Sequence, residues 1–365
     1  MHNTGVSART AHLEWASRPP DERFTSVSTL YEAARVRRER TEERIIHTDQ
    51  FNTDAEGIRD LVLREPSGHT AVFTHWSFEQ LAALVGAPSK YLRALPAPIV
   101  SSAINYGLRQ QGRYVHQLYA DRTAPWTIHA ITSRRYARVH YDELAARVLD
   151  LTDHHPAWHL PLGYKDGVFG AEMVPSGAYM GDRDMFVFIV DGNRSLDDPT
   201  DRSHAGVFRG FFLRNSDVGA AALTLDLFLF RAVCRNHLIW GFQHVAGLRR
   251  RHLGASTQGA WTDSIDAVSA ALDASPASDH TMLLRATTQE LGSTRDEVIE
   301  TVSARFDLPR IQASDAYSVA EANEPNPRSV WGYVQGLTRL SQYTHWQDAR
   351  FALDRTAGRL LATVT

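Results

Sequence analysis

The sequence predicts an α+β fold, a mainly antiparallel central sheet backed by helices, with helical N- and C-terminal parts. Three observations carry this. Residues 206–242 read as a long hairpin: 215–219 (Asn-Ser-Asp-Val-Gly) has turn composition, and beyond it Leu223, Leu225, Leu227 and Leu229 alternate with Thr224, Asp226, Phe228 and Phe230, the period of a strand with one apolar face. Further strand-like runs, 113–120, 126–132, 168–174 and 185–190, gather in the middle of the chain, with Gly177, Gly181 and Gly192 punctuating the later ones. From Thr257 onward the apolar spacing is helical.

Taken in order, residues 10–24 contain two adjacent prolines and balanced charge, which predicts an extended arm, and 30–46 reads as a short, very charged helix. Residues 69–75 read as a strand, and Ser77-Phe-Glu-Gln80 as a capping box that opens a helix. The run 80–95, with Gly86 in its middle, fits a helix-turn-helix pattern with Ser89, Lys90 and Arg93 facing outward, and equally an ordinary helical hairpin. A helix over 99–108 follows. Leu144, Val148 and Leu151 mark one face of another, which ends at His154-His155-Pro156. Asn236 is placed to cap a helix after the hairpin. Thr294-Arg-Asp-Glu297 is a second capping box, Leu308-Pro309 closes its helix, Pro327 starts another, and a last helix is expected over about 347–361. The organisation expected is an N-terminal arm and charged helix (1–68), an α+β core (69–255) and a helical C-terminal region (256–365).

The hydrophobic fraction, 43% of 365 residues, supports a real core. A single cysteine, Cys234, excludes an internal disulfide and fits a reducing compartment. No signal peptide and no apolar run of the ~20 residues needed to span a bilayer is visible, so a cytoplasmic protein without membrane contact is expected. The net charge of −3 argues against an overtly basic nucleic-acid binder, yet the charge is unevenly spread. Residues 107–141 hold six arginines against Asp121 alone, 201–255 hold eight against three aspartates, and 256–325 hold twelve acids against four arginines. A basic middle followed by an acidic segment is a bipolar chain, which predicts a homo-oligomer.

No phosphate-binding glycine loop, G-x-S-x-G or H-E-x-x-H motif is present. Cys234 with His237, His244 and His252 offers zinc-type ligands without the paired cysteines of a structural site. His154, His155 and His159 with Asp150 and Asp153 could serve a metal-dependent nuclease, and equally form a polar loop. No metal and no cofactor are expected. The third constellation interleaves arginines with aromatics: Tyr114, Tyr119, Trp126, Arg134, Arg135, Tyr136, Arg138 and Tyr141, then Phe208, Arg209, Phe211, Phe212 and Arg214. Arginines for phosphates and aromatics for bases are how single strands are gripped, although period two requires some of these aromatics in the core.

Several short motifs are similar to those of the phage/plasmid-like proteins built on domain of unknown function 932. They are Gln80-Leu-Ala with Pro88-x-x-Tyr91-Leu and Leu95-Pro; Thr132-Ser-x-x-Tyr136; Asn215-Ser-x-Val218-Gly; Val233-Cys-x-Asn236; and Arg251-His252. The resemblance spans about residues 70–255. It implies a mobile-element protein whose core is likened to that of the RecT and Red-beta single-strand annealing proteins. The expectation is binding and annealing of single-stranded DNA without covalent chemistry. Arg134, Arg135, Arg138, Arg209, Arg214, Arg249, Arg250 and Arg251 would meet phosphates, and Tyr136 and Phe211 would stack on bases. The rivals are a helix-turn-helix regulator, a metal-dependent nuclease and a protein-interaction module.

Overall fold

A computed structural model describes residues 22–57, 60–64, 70–120, 126–163, 174–175, 177–196, 207–231, 236–239, 248–250, 252, 256–273, 277–343, 353 and 356–364. Among the described residues it is a mixed α+β structure built on two large sheets and one two-stranded pair, where the sequence reading expected one central sheet.

A two-residue strand β1 (Arg23–Phe24) leads into α1 (Val27–Glu39). Ser26 caps this helix by accepting a hydrogen bond from the Thr29 N–H, and Arg37 and Arg38 sit in its last turn, where cations favour the helix dipole. The helix stops there. Residues 42–46, read from sequence as its continuation, instead lie in strand β2 (Glu42–His47), whose β-branched Ile45 and Ile46 suit a pleated ladder. Strands β3 (Asn52–Glu56), β4 (Asp60–Arg64) and β5 (Thr70–Phe73) follow. Next come α2 (His75–Leu84), the single turn α3 (Ser89–Leu92) and α4 (Ala97–Gln111), then β6 (Tyr114–Ala120) and β7 (Trp126–Ser133). The residue that caps α2 is Thr74, not Ser77; its Oγ1 accepts from the Ser77 N–H at 3.1 Å. The six strands order as β2-β6-β7-β5-β4-β3, antiparallel except for the parallel pair β5–β7. Residues 42–64, assigned from sequence to the N-terminal arm and charged helix, therefore supply half of this sheet. One face packs Leu63, Val115, Tyr119 and Ile128 against Leu81, Val100, Ile104 and Leu108 of α2 and α4.

Helix α5 (Tyr141–His154) precedes the short strands β8 (Trp158–His159), β9 (Leu162–Gly163), β10 (Val174–Pro175) and β11 (Ala178–Met180). Of the expected strand 168–174, all but Val174 lies outside the described residues. Long strands β12 (Met185–Leu196), β13 (Val207–Asn215) and β14 (Leu223–Arg231) form the centre of the second sheet, ordered β1-β11-β12-β13-β14 and continued by β15 (Asn236–Ile239). β8 adds to β12, and β16 (Leu248–Arg250) adds to β14. The expected hairpin is thus β13–β14, in register from Val207↔Arg231 to Arg214↔Thr224. Asn236, expected to cap a helix, instead opens a strand that pairs with Arg231.

On one face of this sheet Val187, Ile189, Phe211, Leu213, Leu225 and Leu227 pack against Leu30 and Ala34 of α1, Leu144 and Val148 of α5, and Trp261 and Ile265 of α6 (Ser256–Asp273). Each such buried side chain contributes about 1.5–3 kcal/mol. On the other face Tyr179, Phe186, Phe188 and Phe212 form an aromatic row with centroids 4.6–6.5 Å apart. Helices α7 (Ala277–Thr288), α8 (Arg295–Phe306), α9 (Arg310–Asn323) and α10 (Val330–Tyr343) enclose their own core around Trp331, Tyr333 and Leu337, joined by Val207 of β13. The Thr294 capping box is present: Thr294 accepts from Glu297 N–H, and Glu297 reaches back to the Ser293 N–H at 2.7 Å. Gly336 lets α10 approach α9, since a Cβ there would meet the Ala316 carbonyl oxygen at 2.3 Å. No helix among the described residues is long and apolar enough to cross a membrane.

Candidate nucleic-acid interface

The turn of the β13–β14 hairpin is pressed onto the second face of the six-stranded sheet. Val218 packs with Leu118 and Ala130 there. Gly219, at φ 83°, provides the backbone reversal. Several neighbouring segments bond this turn. Trp76 Nε1 and Gln80 Nε2 of α2 donate to the Val218 carbonyl at 3.0 and 2.8 Å, and Tyr136 Oη donates to the Ser216 carbonyl at 2.7 Å. Arg138 donates to the Asp217 carbonyl, and Asn215 Nδ2 to the Val139 carbonyl at 2.7 Å. Arg37 of α1 places its guanidinium 3.5 Å from the buried Asp217 carboxylate. Gln80, Tyr136, Asn215, Ser216 and Val218, which sequence reading found as separate motifs, are thus one joint between the two sheets.

Glu43 of β2 extends that joint. His116 and His140 each place Nε2 2.7 Å from its carboxylate oxygens, and Arg138 Nε donates to it at 3.2 Å. Burial opposes ionisation of Glu43, but the bonds from His116 and His140 and the Arg138 charge outweigh it and hold the carboxyl far below the usual range. Nearby, Ala137 and His252 exchange two hydrogen bonds of 3.0 Å, Ala137 N–H to the His252 carbonyl and His252 Nδ1 to the Ala137 carbonyl.

The geometry divides the sequence-derived DNA contacts. Four are buried and a fifth, Tyr136, is half-buried. Phe211 is fully buried, edge-on to Trp158 at 6.2 Å. Arg209 is 2% exposed, with Nε 2.9 Å from Asp279 and its other nitrogens on the Leu272 and Ala271 carbonyls. Arg214 is buried on Asp184, and Arg138 on Glu43 and Asp217. Tyr136 lies between the Arg138 guanidinium and the His252 ring. The four buried side chains face away from any strand outside, and the half-buried Tyr136 ring is engaged by Arg138 and His252. Arg134 and Arg135 are exposed in the turn after β7. Arg249 and Arg250 lie on β16; their side chains, and all of Arg251, are outside the described residues.

What remains open is the part of the six-stranded sheet that the hairpin turn does not cover. There Ile45 and Tyr114 are 54% and 52% exposed. Tyr114 stands opposite His47 in the β2–β6 register, edge-on at 4.9 Å, and the Arg134 guanidinium lies over its ring at 5.7 Å. Ile45 and His47 were missed from sequence, where 30–46 reads as a charged helix. The Ala137–His252 contact brings β16, with Arg249 and Arg250, to within a few residues of Arg134 and Arg135. This arrangement can hold a flat ring against Tyr114 and phosphates against the arginines.

The rival sites lack comparable geometry. In the helix-turn-helix reading the second helix is the single turn α3, and Arg93 is occupied by the His75 carbonyl at 2.9 Å and the Phe78 ring. His154 bonds back to Asp150, and His155 stacks on Trp158 at 4.1 Å. Among the described residues no group of three or more His, Cys, Asp or Glu is placed to hold a metal ion; Cys234 and His244 lie outside them. Comparison with family models, with curated proteins and with solved structures gives no match.

Proposed function

We propose that the protein binds single-stranded DNA non-covalently through the open part of its six-stranded sheet. Tyr114 is the stacking platform, Arg134 and Arg135 are phosphate contacts, and the β16 segment carrying Arg249 and Arg250 lies alongside. The observation that supports this reading is the half-exposed Tyr114 ring beneath the Arg134 guanidinium. An aromatic face next to exposed cationic groups accepts any base and tracks a backbone, whereas a duplex hides its base faces. Holding a strand in this way needs no covalent step.

Fluorescence anisotropy with labelled single- and double-stranded oligonucleotides at several salt concentrations tests it. The reading requires single strand to be preferred, with affinity falling as salt rises. No binding to either at low salt, or a duplex preference abolished by changing Lys90 and Arg93, would overturn it.

A further inference from the structure

The open part of the six-stranded sheet offers an aliphatic side chain beside the Tyr114 ring. Strand β2 lies at one end of that sheet, and in its ladder with β6 Ile45 stands opposite His116 and His47 opposite Tyr114. Side chains directly opposite, and those two apart on one strand, point to the same face, so Ile45, His47, Tyr114 and His116 share it. Ile45 and Tyr114 are diagonal neighbours across the two strands, a relation that sets side chains about 7–8 Å apart. Among the described residues they are the exposed large hydrophobic side chains that lie on strands. One step further along the same face, Leu118, opposite Glu43, is covered by Val218 of the hairpin turn. The open apolar surface is therefore two side chains long.

Its charges lie at different ends. Val115 pairs with Ser133, which brings the next residue, Arg134, level with Tyr114, and the Arg134 guanidinium lies over that ring at 5.7 Å. On the other side of Tyr114, His47 is held by the exposed Asp49 carboxylate. Glu43, beyond Ile45 on β2, is already shared by His116, His140 and Arg138. A phosphate is drawn to the Arg134 end of the Tyr114 row and repelled from the Asp49 end, so a bound base extends from the arginine side across the ring toward β2, where Ile45 stands.

We propose that Ile45 is a second base subsite of this surface, and that the ligand it selects is a weakly stacked, pyrimidine-rich single strand. One base lies on Tyr114 and the next on Ile45, with the phosphate between them on the Arg134 side. Neighbouring bases in a stacked strand are about 3.4 Å apart. Tyr114 and Ile45 stand at about twice that separation, so the two bases have to leave each other. Pyrimidine runs, which stack weakly and have a flexible backbone, yield to this more readily than adenine runs. The subsite rests on the reading of this face as a strand-binding surface and adds to it a register of two bases.

Anisotropy titrations of the full chain with labelled oligonucleotides of one length test it. Two strands carry a pair of thymines on an otherwise abasic backbone, adjacent in one and separated by abasic sites in the other. The wild type should bind the adjacent pair roughly fourfold tighter, the effect of taking one methylene-sized apolar group out of water. Ile45→Ala and Ile45→Thr, the latter keeping the β-branch that suits a strand, should each lose this preference and bind the separated pair as the wild type does. The wild type should also prefer an all-thymine to an all-adenine strand. A preference for the adjacent pair that survives both substitutions, or none in the wild type, would overturn the subsite; the Tyr114 platform would still stand if Tyr114→Ala weakens both strands. Equal weakening of both strands by the Ile45 variants would make the residue a support of β2 and would overturn the subsite too. Adenine bound as tightly as thymine would overturn the selection for unstacked strands, and no binding to any strand would remove the surface and the subsite together.

Discussion

Tyr136 stacks on His252 with ring centroids 4.9 Å apart and planes 29° from parallel, joining two residues more than a hundred positions apart in the chain. With the paired Ala137–His252 hydrogen bonds, this stack fixes β16 beside the turn that carries Arg134 and Arg135. Replacing His252 by Ala removes a ring contact and a side-chain hydrogen bond, so a stability loss of about 2 kcal/mol is expected in urea unfolding.

The same histidine predicts a pH dependence. Burial lowers its basicity below the ordinary value of 6.5, with the Arg138 charge acting in the same direction. The unfolded chain then binds the proton more readily than the folded one. This contribution to stability is complete above about pH 6.5 and is lost as the pH falls below it. His252→Gln should flatten the stability profile between about pH 7 and pH 5; an unchanged slope would show that the ring is protonated in the fold.

Glu43 acts in a lower window. Its ionised form is the one the fold prefers, so its contribution is complete above its ordinary value of 4.5 and is lost progressively as the pH falls below that. Glu43→Ala leaves His116, His140 and Arg138 without their shared carboxylate and should cost about 2–4 kcal/mol, somewhat less than a fully buried pair because the side chain is 25% exposed. Thermal denaturation of this variant should also be less sensitive to acid near pH 4.

Arg209 is expected to be structural. Arg209→Leu strands the buried Asp279 and should cost about 3–5 kcal/mol, whereas the double change with Asp279→Leu should recover much of that loss. DNA affinity per folded molecule should be unaffected, which separates this arginine from those of the open surface.

On that surface the two kinds of contact should respond differently. Arg134→Ala with Arg135→Ala should make the log–log salt slope for single strands shallower by about 1.4, two phosphates at roughly 0.7 each. Tyr114→Ala should weaken binding by about 1–3 kcal/mol with little change in slope, and Tyr114→Phe should retain most of the affinity. A slope untouched by the arginine pair would place the phosphates elsewhere.

The α+β class and the hairpin at 207–231 were legible because the leucines at 223, 225 and 227 alternate with polar positions, and one face of β14 is indeed core. Strand β2 was not legible: its charged residues follow a charged helix with no Gly or Pro between them, and only pairing with β6 selects the strand. Asn236 is a capping residue type by composition, yet the ladder to Arg231 claims it. For the site, arginine-aromatic interleaving covered the exposed Tyr114, Arg134 and Arg135 together with several side chains that the fold buries. A buried arginine looks like an exposed one until its partner is known, and the partner of Arg209 is seventy positions away. Tyr114 is accessible only because the hairpin turn stops short of it, which no local pattern records.

The seating of residues 216–220 on the first sheet also has a consequence for biosynthesis. All six strands of that sheet have left the ribosome once Ser133 is out, but the segment that covers Leu118 and Ala130 follows only some eighty residues later. At about 5–20 residues per second, the nascent chain carries an uncovered apolar patch for roughly 4–17 seconds. Slow translation across residues 134–216 would prolong that interval.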